Sequence, residues 1–218
     1  PEEHGIYVLP TDGSDQIAEL DPLTGVELRR IDLPSGETNT GRAALAFDAA
    51  RDRLFFMNGD RDVLYEIDAN TGQEIDADIV LSPISSSPGA YDGLAYHNGL
   101  VYILDVQADS VPGQAEDANA DPPLPQILDA PEILVFDRAF GGVIGTLNLV
   151  GTGEGTVAAA NPSLTFTDIT AGLATIGPNS ATPRLLLLDD SGNAVHEIDP
   201  ETGQSTLTYT SSSTMIGN

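Results

Sequence analysis

The chain has 218 residues; 34 are Asp or Glu and only 8 are basic, all of them Arg, for a formal charge of −26. Nucleic acid is excluded as a partner, because phosphates must be neutralised by Lys and Arg, and an anionic membrane surface is disfavoured on the same ground. A hydrophobic share of 40% sets the chain apart from acidic disordered polymers, and no apolar run approaches the roughly 18 residues of a membrane span.

In chain order the pattern is one of short alternating segments. Gly5–Leu9, Gln16–Leu20 and Val26–Leu33 read as strands, followed by Ala44–Asp48, Arg53–Asn58, Val63–Asp68 and Glu74–Leu81. Next come Gly93–His97, Leu100–Asp105, Ile133–Asp137 and Val143–Val150. The last set is Ala171–Ile176, Arg184–Asp189, Ala194–Ile198 and Ser205–Thr210.

A repeat organises them. Glu19-Leu20-Asp21-Pro22-Leu23-Thr24-Gly25 matches Glu66-Ile67-Asp68-Ala69-Asn70-Thr71-Gly72 and Glu197-Ile198-Asp199-Pro200-Glu201-Thr202-Gly203, with a degraded copy ending Phe136-Asp137-Arg138-Ala139-Phe140-Gly141. The pattern is that of a hairpin. The Asp side chain accepts from backbone N–H groups two residues on, and Gly takes the positive φ of a type I turn with a bulge. The turn glycines are spaced by 47, 69 and 62 residues. The first spacing is near the ~40–50 of propeller repeats; insertions at 106–131 and 151–163 account for the excess in the others. The fold class expected is all-β, a β-propeller of four blades with four antiparallel strands each, in a single domain over 1–218. A two-sheet sandwich is the competing architecture.

These hairpins resemble those of YVTN, quinoprotein-like and NHL-type propeller repeats, as does Asp92-Gly93-Leu94-Ala95-Tyr96-His97-Asn98-Gly99-Leu100-Val101-Tyr102. The resemblance covers about three quarters of the chain and concerns scaffold. It carries no catalytic residue over, and the tryptophan docking motifs of quinoprotein-like enzymes have no counterpart in a chain without Trp.

The first unit lacks an innermost strand. Ser211–Asn218 would supply it and close the wheel on itself; strand exchange with a neighbour, or two chains making one larger ring, are the alternatives. Propeller topology places both insertions on one face of the disc, with the Asp–Gly turns opposite. The stretch 106–131, with five prolines and no basic residue, fits a linker, an O-glycosylated patch or a partner-binding strap.

Candidate sites are few. Asp12 and Asp15, Asp60 and Asp62, and Asp189 and Asp190 with Asn193 occupy equivalent turns. Carboxylates among turn carbonyls suit Ca²⁺, although Asp and Asn also favour tight turns for purely local reasons. Glu19, Glu66 and Glu197 recur at one strand position; a repeated carboxylate there could line an inter-blade groove, but a solvated or Arg-paired face is the expectation. His4, His97 and His196 lie in different units and are not expected to converge on a metal. Gly151–Gly155 lacks the Lys of a phosphate loop, and there is no Gly-x-Ser-x-Gly elbow. No Cys is present, which excludes disulfides and thiolate chemistry.

No catalytic or cofactor-binding residue is therefore assigned, and Ca²⁺ is the one cofactor considered. The expected function is that of a non-enzymatic, extracellular or cell-surface interaction or assembly module, such as a repeating subunit of a surface structure. Its partner would be a protein, by self-association or on a surface, with no nucleic acid and no membrane insertion. The alternative is a small metal-dependent hydrolase or lactonase-like propeller. Pro1, in place of Met, and the lysine-free acidic surface underlie the extracellular expectation. Since like charges repel until salt screens them, the melting temperature is expected to rise with added NaCl or Ca²⁺. A melting curve indifferent to salt would show the acids already compensated.

Overall fold

The computed structural model describes residues 5–39, 43–58, 63–80, 91–105, 132–148, 173–176, 184–189 and 194–210. Among them there is no helix, and hence none long and apolar enough to cross a membrane. Among the described residues fifteen strands form four antiparallel sheets. The first contains β1 (Ile6–Val8), β2 (Gln16–Leu20) and β3 (Glu27–Asp32). The second contains β4 (Ala43–Asp48), β5 (Arg53–Asn58), β6 (Val63–Asp68) and β7 (Glu74–Val80). The third contains β8 (Tyr91–His97), β9 (Leu100–Asp105), β10 (Glu132–Asp137) and β11 (Gly142–Asn148). The fourth contains β12 (Leu173–Ile176), β13 (Arg184–Asp189), β14 (Ala194–Ile198) and β15 (Ser205–Thr210). Within every sheet the strands lie in chain order.

The Asp–Gly hairpins form as the repeat implies. Asp21 Oδ1 accepts from the backbone N–H groups of Leu23 and Thr24, and Asp68, Asp137 and Asp199 accept from their own two following amides in the same way. Gly25, Gly72, Gly141 and Gly203 adopt φ of 68°, 73°, 71° and 70°, a region where only glycine avoids a Cβ clash. Each glycine donates to the carbonyl of its Asp four residues back, so the loop is one residue wider than a simple type I turn. The extra residue is absorbed as a bulge on the strand after the turn, Leu28 opposite Glu19 and Leu20 and Thr206 opposite Glu197 and Ile198. The degraded copy at 137–141 keeps the turn because Asp and Gly, the two residues that close it, are kept.

The core decides between wheel and sandwich. Alternate residues of one strand go to opposite faces, and the two middle sheets bury both faces. In the second sheet Leu54, Phe56, Tyr65 and Ile67 pack with Ile17 and Ile31 of the first. Phe55, Met57 and Leu64 pack with Leu94, Ile103, Leu134 and Phe136 of the third. Leu104, Ile133 and Val135 of the third pack with Leu173, Leu185, Leu187 and Ile198 of the fourth. Three apolar layers thus join four sheets in series among the described residues, each layer between chain neighbours, as in repeat architectures. A two-sheet sandwich would have one such layer.

The innermost strands β4, β8 and β12 lie side by side. At Gly93 on β8 an added Cβ would sit 2.9 Å from the backbone N of Leu173 and 3.3 Å from Leu104 Cβ. Since the obstacle is backbone, Gly93→Val is expected to cost about 1–3 kcal/mol, the range of an overpacked core. Urea unfolding checks this, and a wild-type midpoint would contradict it.

The ends of β9 and β11, where the two insertions leave, sit together: Glu132 of β10 pairs with both Asp105 and Asn148. Residues 106–131 and 151–163 themselves lie outside the described residues, as does Ser211–Asn218, on which the expected closure depends.

Candidate functional site

The repeated Glu of the third strand in each unit marks the seams between sheets. Glu66 on β6 is the most deeply placed, with its side chain 2% exposed. Arg138, in the turn after β10 of the third sheet, donates from Nε to Glu66 Oε2 and from Nη2 to Oε1, both at 2.6 Å. Arg53, on β5, stands 3.5 Å from Oε1 and donates to Asp68 Oδ2 at 2.6 Å. The fork geometry matches the carboxylate, the arrangement that makes Arg–carboxylate pairs strong. Because the pair joins two sheets, it acts as a clamp across the seam.

The first seam fills the same slot differently. Arg29 comes from β3 of the first sheet and pairs with Glu19 on its own sheet. It then donates across the seam to the carbonyls of Ala69 and Asn70, at 2.7 Å each. Ala69 is the repeat equivalent of Arg138. One guanidinium therefore occupies each of these two slots, supplied from opposite sides. In the third sheet the Glu position is Val135, which joins the apolar layer shared with the fourth sheet. In the fourth sheet Glu197 accepts from the Tyr209 hydroxyl at 2.9 Å and lies 4.0 Å from Arg184.

Beside the Glu66 clamp, on the same seam, Asp48 is buried and accepts from Arg51. Arg51 and the Gly99 amide both donate to the Tyr96 hydroxyl, and the ring of Tyr96 stacks on Phe55 at 5.3 Å. Burial works against ionisation of Asp48, but the hydrogen bonds from Tyr96, Arg51 and the Ala50 amide outweigh it and hold its carboxyl below the ordinary range. Four of the chain's eight cations, Arg29, Arg51, Arg53 and Arg138, thus serve the first two seams.

The repeated glutamates are Arg-paired, as one reading of the sequence expected. Glu66, however, is buried in a seam rather than solvated. Both of its oxygens are engaged, which leaves a structural clamp and no open general acid or base.

Asp12 Oδ1 accepts from the Ser14 amide and Oδ2 from Arg30, which also donates to Ser14 Oγ and to Glu27. The Ser14 contacts and Arg30 hold the Asp12 carboxyl at about 2. Asp15 Oδ1 accepts from the Asn39 amide, so the two carboxylates do separate work at the turn and loop they serve. Asp189 ends β13 opposite Ala194; Asp60, Asp62, Asp190 and Asn193 lie outside the described residues. Among the described residues no group of three or more His, Asp or Glu side chains could hold a metal ion.

His97 and His196 are both buried, on the third and fourth sheets; His4 lies outside the described residues. A polar cluster with no sequence motif lies between β3 and β4: Glu37 is buried and accepts from Asn58 Nδ2 and the Tyr65 hydroxyl, at 2.5 Å each. It pins the loop after β3 to the second sheet. No local pattern announces it, since its partners are 21 and 28 residues away.

The carboxylates that do anchor turns set the response to acid. Asp21 and Asp68 are lowered by backbone hydrogen bonds, from Thr24 and Thr71 first, and Asp12 and Asp48 are lowered as above. A carboxyl lowered in the folded state contributes stability above its unfolded value of about 3.9 and loses it as pH falls through the folded value. Between pH 7 and about 4 the shrinking net charge acts the other way. The melting temperature is therefore expected to rise on mild acidification and to fall between about pH 4 and 2. A monotonic decline from pH 7 would contradict the charge argument.

Neither a family model nor a curated protein matches the sequence. Solved structures do. Glutaminyl cyclase of Myxococcus xanthus superposes with a TM-score of 0.53 at 15% identity, covering 88% of this chain and 61% of that one. A streptogramin B lyase gives 0.49 at 12% identity, covering 97% of this chain and 53% of that one. The chain thus spans less than two thirds of either. Both are β-propellers of the YVTN, NHL and quinoprotein-like type. At this identity the likeness concerns the fold alone. The four serial sheets, their Asp–Gly hairpins and the likeness to the cyclase define this chain as a β-propeller fold.

Proposed function

We propose that the chain is a non-enzymatic, extracellular or cell-surface β-propeller module that acts by binding protein, by self-association or as a subunit of a surface structure. The observation that carries this reading is a largely aliphatic sheet face that no core layer covers among the described residues. In the first sheet Tyr7, Ile17, Glu19, Arg29 and Ile31 turn toward the second sheet. Alternation sends Ile6, Val8, Ala18, Leu20, Leu28 and Arg30 to the other side, where Ala18 is buried and Arg30 is paired with Asp12 and Glu27. There Ile6 is 49% and Leu28 56% exposed. Aliphatic side chains on a contiguous face mark an interaction surface more often than chance exposure does. Closure of a four-bladed wheel, with the C-terminal strand pairing at the edge of β1, is the alternative in which the chain covers this face itself.

A photo-reactive benzoylphenylalanine at position 28 tests it in the protein's native setting. The expected result is a protein adduct at 28 and none at the exposed turn residue Gln73. No adduct at 28 would refute the interaction role of this face.

The enzymatic alternative, a metal-dependent hydrolase, rests on the wealth of acids and on the presence of an enzyme, the cyclase, among the structural neighbours. Elemental analysis of the purified protein, with ester and lactone turnover measured with and without divalent ions, separates the two. One tightly held ion and metal-dependent turnover would establish the enzyme and displace the binding module.

A further inference from the structure

The two ends of the stack are unlike and complementary. Each sheet has a face that meets its predecessor and a face that meets its successor. In the second sheet Leu54, Phe56 and Ile67 look back and Phe55, Met57, Leu64 and the Glu66 clamp look forward. The first sheet shows a backward face, with Ile6, Val8, Leu20, Leu28 and the ion-paired Arg30, and no core layer behind it among the described residues. The fourth has its backward face, with Leu185, Leu187 and Ile198, on the third sheet. Its forward face therefore carries Leu186, Leu188, Val195 and Glu197, all partly exposed. Among the described residues no strand of the first sheet makes more than a marginal contact with a strand of the fourth.

Resting on the reading of this protein as an interaction module, we propose that the forward face of the fourth sheet docks on the backward face of the first sheet of a second copy. Two such junctions close a two-copy ring of eight sheets. The charges support a copy of this chain as the occupant. At the first seam an Arg beside the repeated Glu reaches the carbonyls of Ala69 and Asn70 in the following turn. On the fourth sheet Arg184 stands beside Glu197, about one-third exposed. The following turn would be that of the second copy's first sheet, where Pro22 and Leu23 hold the places of Ala69 and Asn70. The junction thus reuses packing and chemistry already present within the chain. A head-to-tail contact that closes after two steps gives a finite dimer rather than a fibre.

Light scattering on the purified full chain, whose mass is 22.8 kDa, should give twice that mass. The dimer fraction should grow with NaCl, since at about 1 M the screening length falls to about 3 Å and two acidic copies repel less. Leu28→Glu damages only the backward face and Leu188→Glu only the forward one. Each variant alone should be monomeric, with a monomer melting curve unchanged in shape, because both junctions of a ring contain one damaged face. An equimolar mixture should regain a 1:1 dimer through the one intact junction. A wild-type monomer at every salt concentration, self-dimerisation of either variant, a mixture that stays monomeric, or an open series of oligomers would each overturn the two-copy ring. Failure here, with an adduct at position 28 to a different protein, would leave the interaction role standing and remove only the partner; failure of both experiments would remove the role itself.

Discussion

Arg138→Met is expected to lower the unfolding free energy by about 3 kcal/mol, the lower end of the range for removing one partner of a buried ion pair. Glu66 stays almost wholly covered by protein, so its carboxylate loses its bidentate donor without gaining water. Arg53, 3.5 Å away, remains and limits the loss. Glu66→Met should cost less, because Arg138 and Arg53 are each about one-third exposed and can turn to solvent. The double variant should then cost about 1–2 kcal/mol less than the sum of the singles, the signature of direct coupling. Urea, being uncharged, leaves the ion pair unscreened and is the denaturant of choice. A cost below about 1 kcal/mol for Arg138→Met would put the pair in the class of surface bridges.

Phe55→Ala should cost about 3–5 kcal/mol, as expected for deleting a buried aromatic ring. Phe55 is fully buried in the layer between the second and third sheets, against Met57, Leu64 and Leu94. Its ring also supports Tyr96, whose hydroxyl ties Arg51 to the Gly99 amide. The cavity would therefore loosen a polar anchor as well as an apolar layer. Phe47→Ala, in a half-buried ring packed on Tyr7, should cost distinctly less. Equal losses for the two would show that the layer relaxes to fill the void.

The strands and hairpins were legible because their signals are local. Alternation is read within five or six residues, and Asp and Gly at a fixed offset close the turn whatever lies between. The seams were legible only in part. The repeat marked Glu19, Glu66 and Glu197, but their cations follow no register: Arg29 is ten residues after its Glu, and Arg138 is 72 after its own. Glu37 was invisible for a similar reason, lying in a loop whose partners are set by packing. The candidate Ca²⁺ turns illustrate the opposite difficulty. Asp12 and Asp15 look alike in sequence, yet Arg30 and Ser14 hold one while a loop amide engages the other.

The unequal filling of the seam slots makes the units non-interchangeable. An artificial protein built by stringing together identical copies of residues 43–80 would set every Glu66 against an alanine, Ala69, in the next unit. The position on the outer strand that corresponds to Arg29 would offer Asp76, a second negative charge. Such an array would accumulate repulsion at every joint. A uniform version of this scaffold needs an arginine grafted at position 69, or at 76, before its copies will tile.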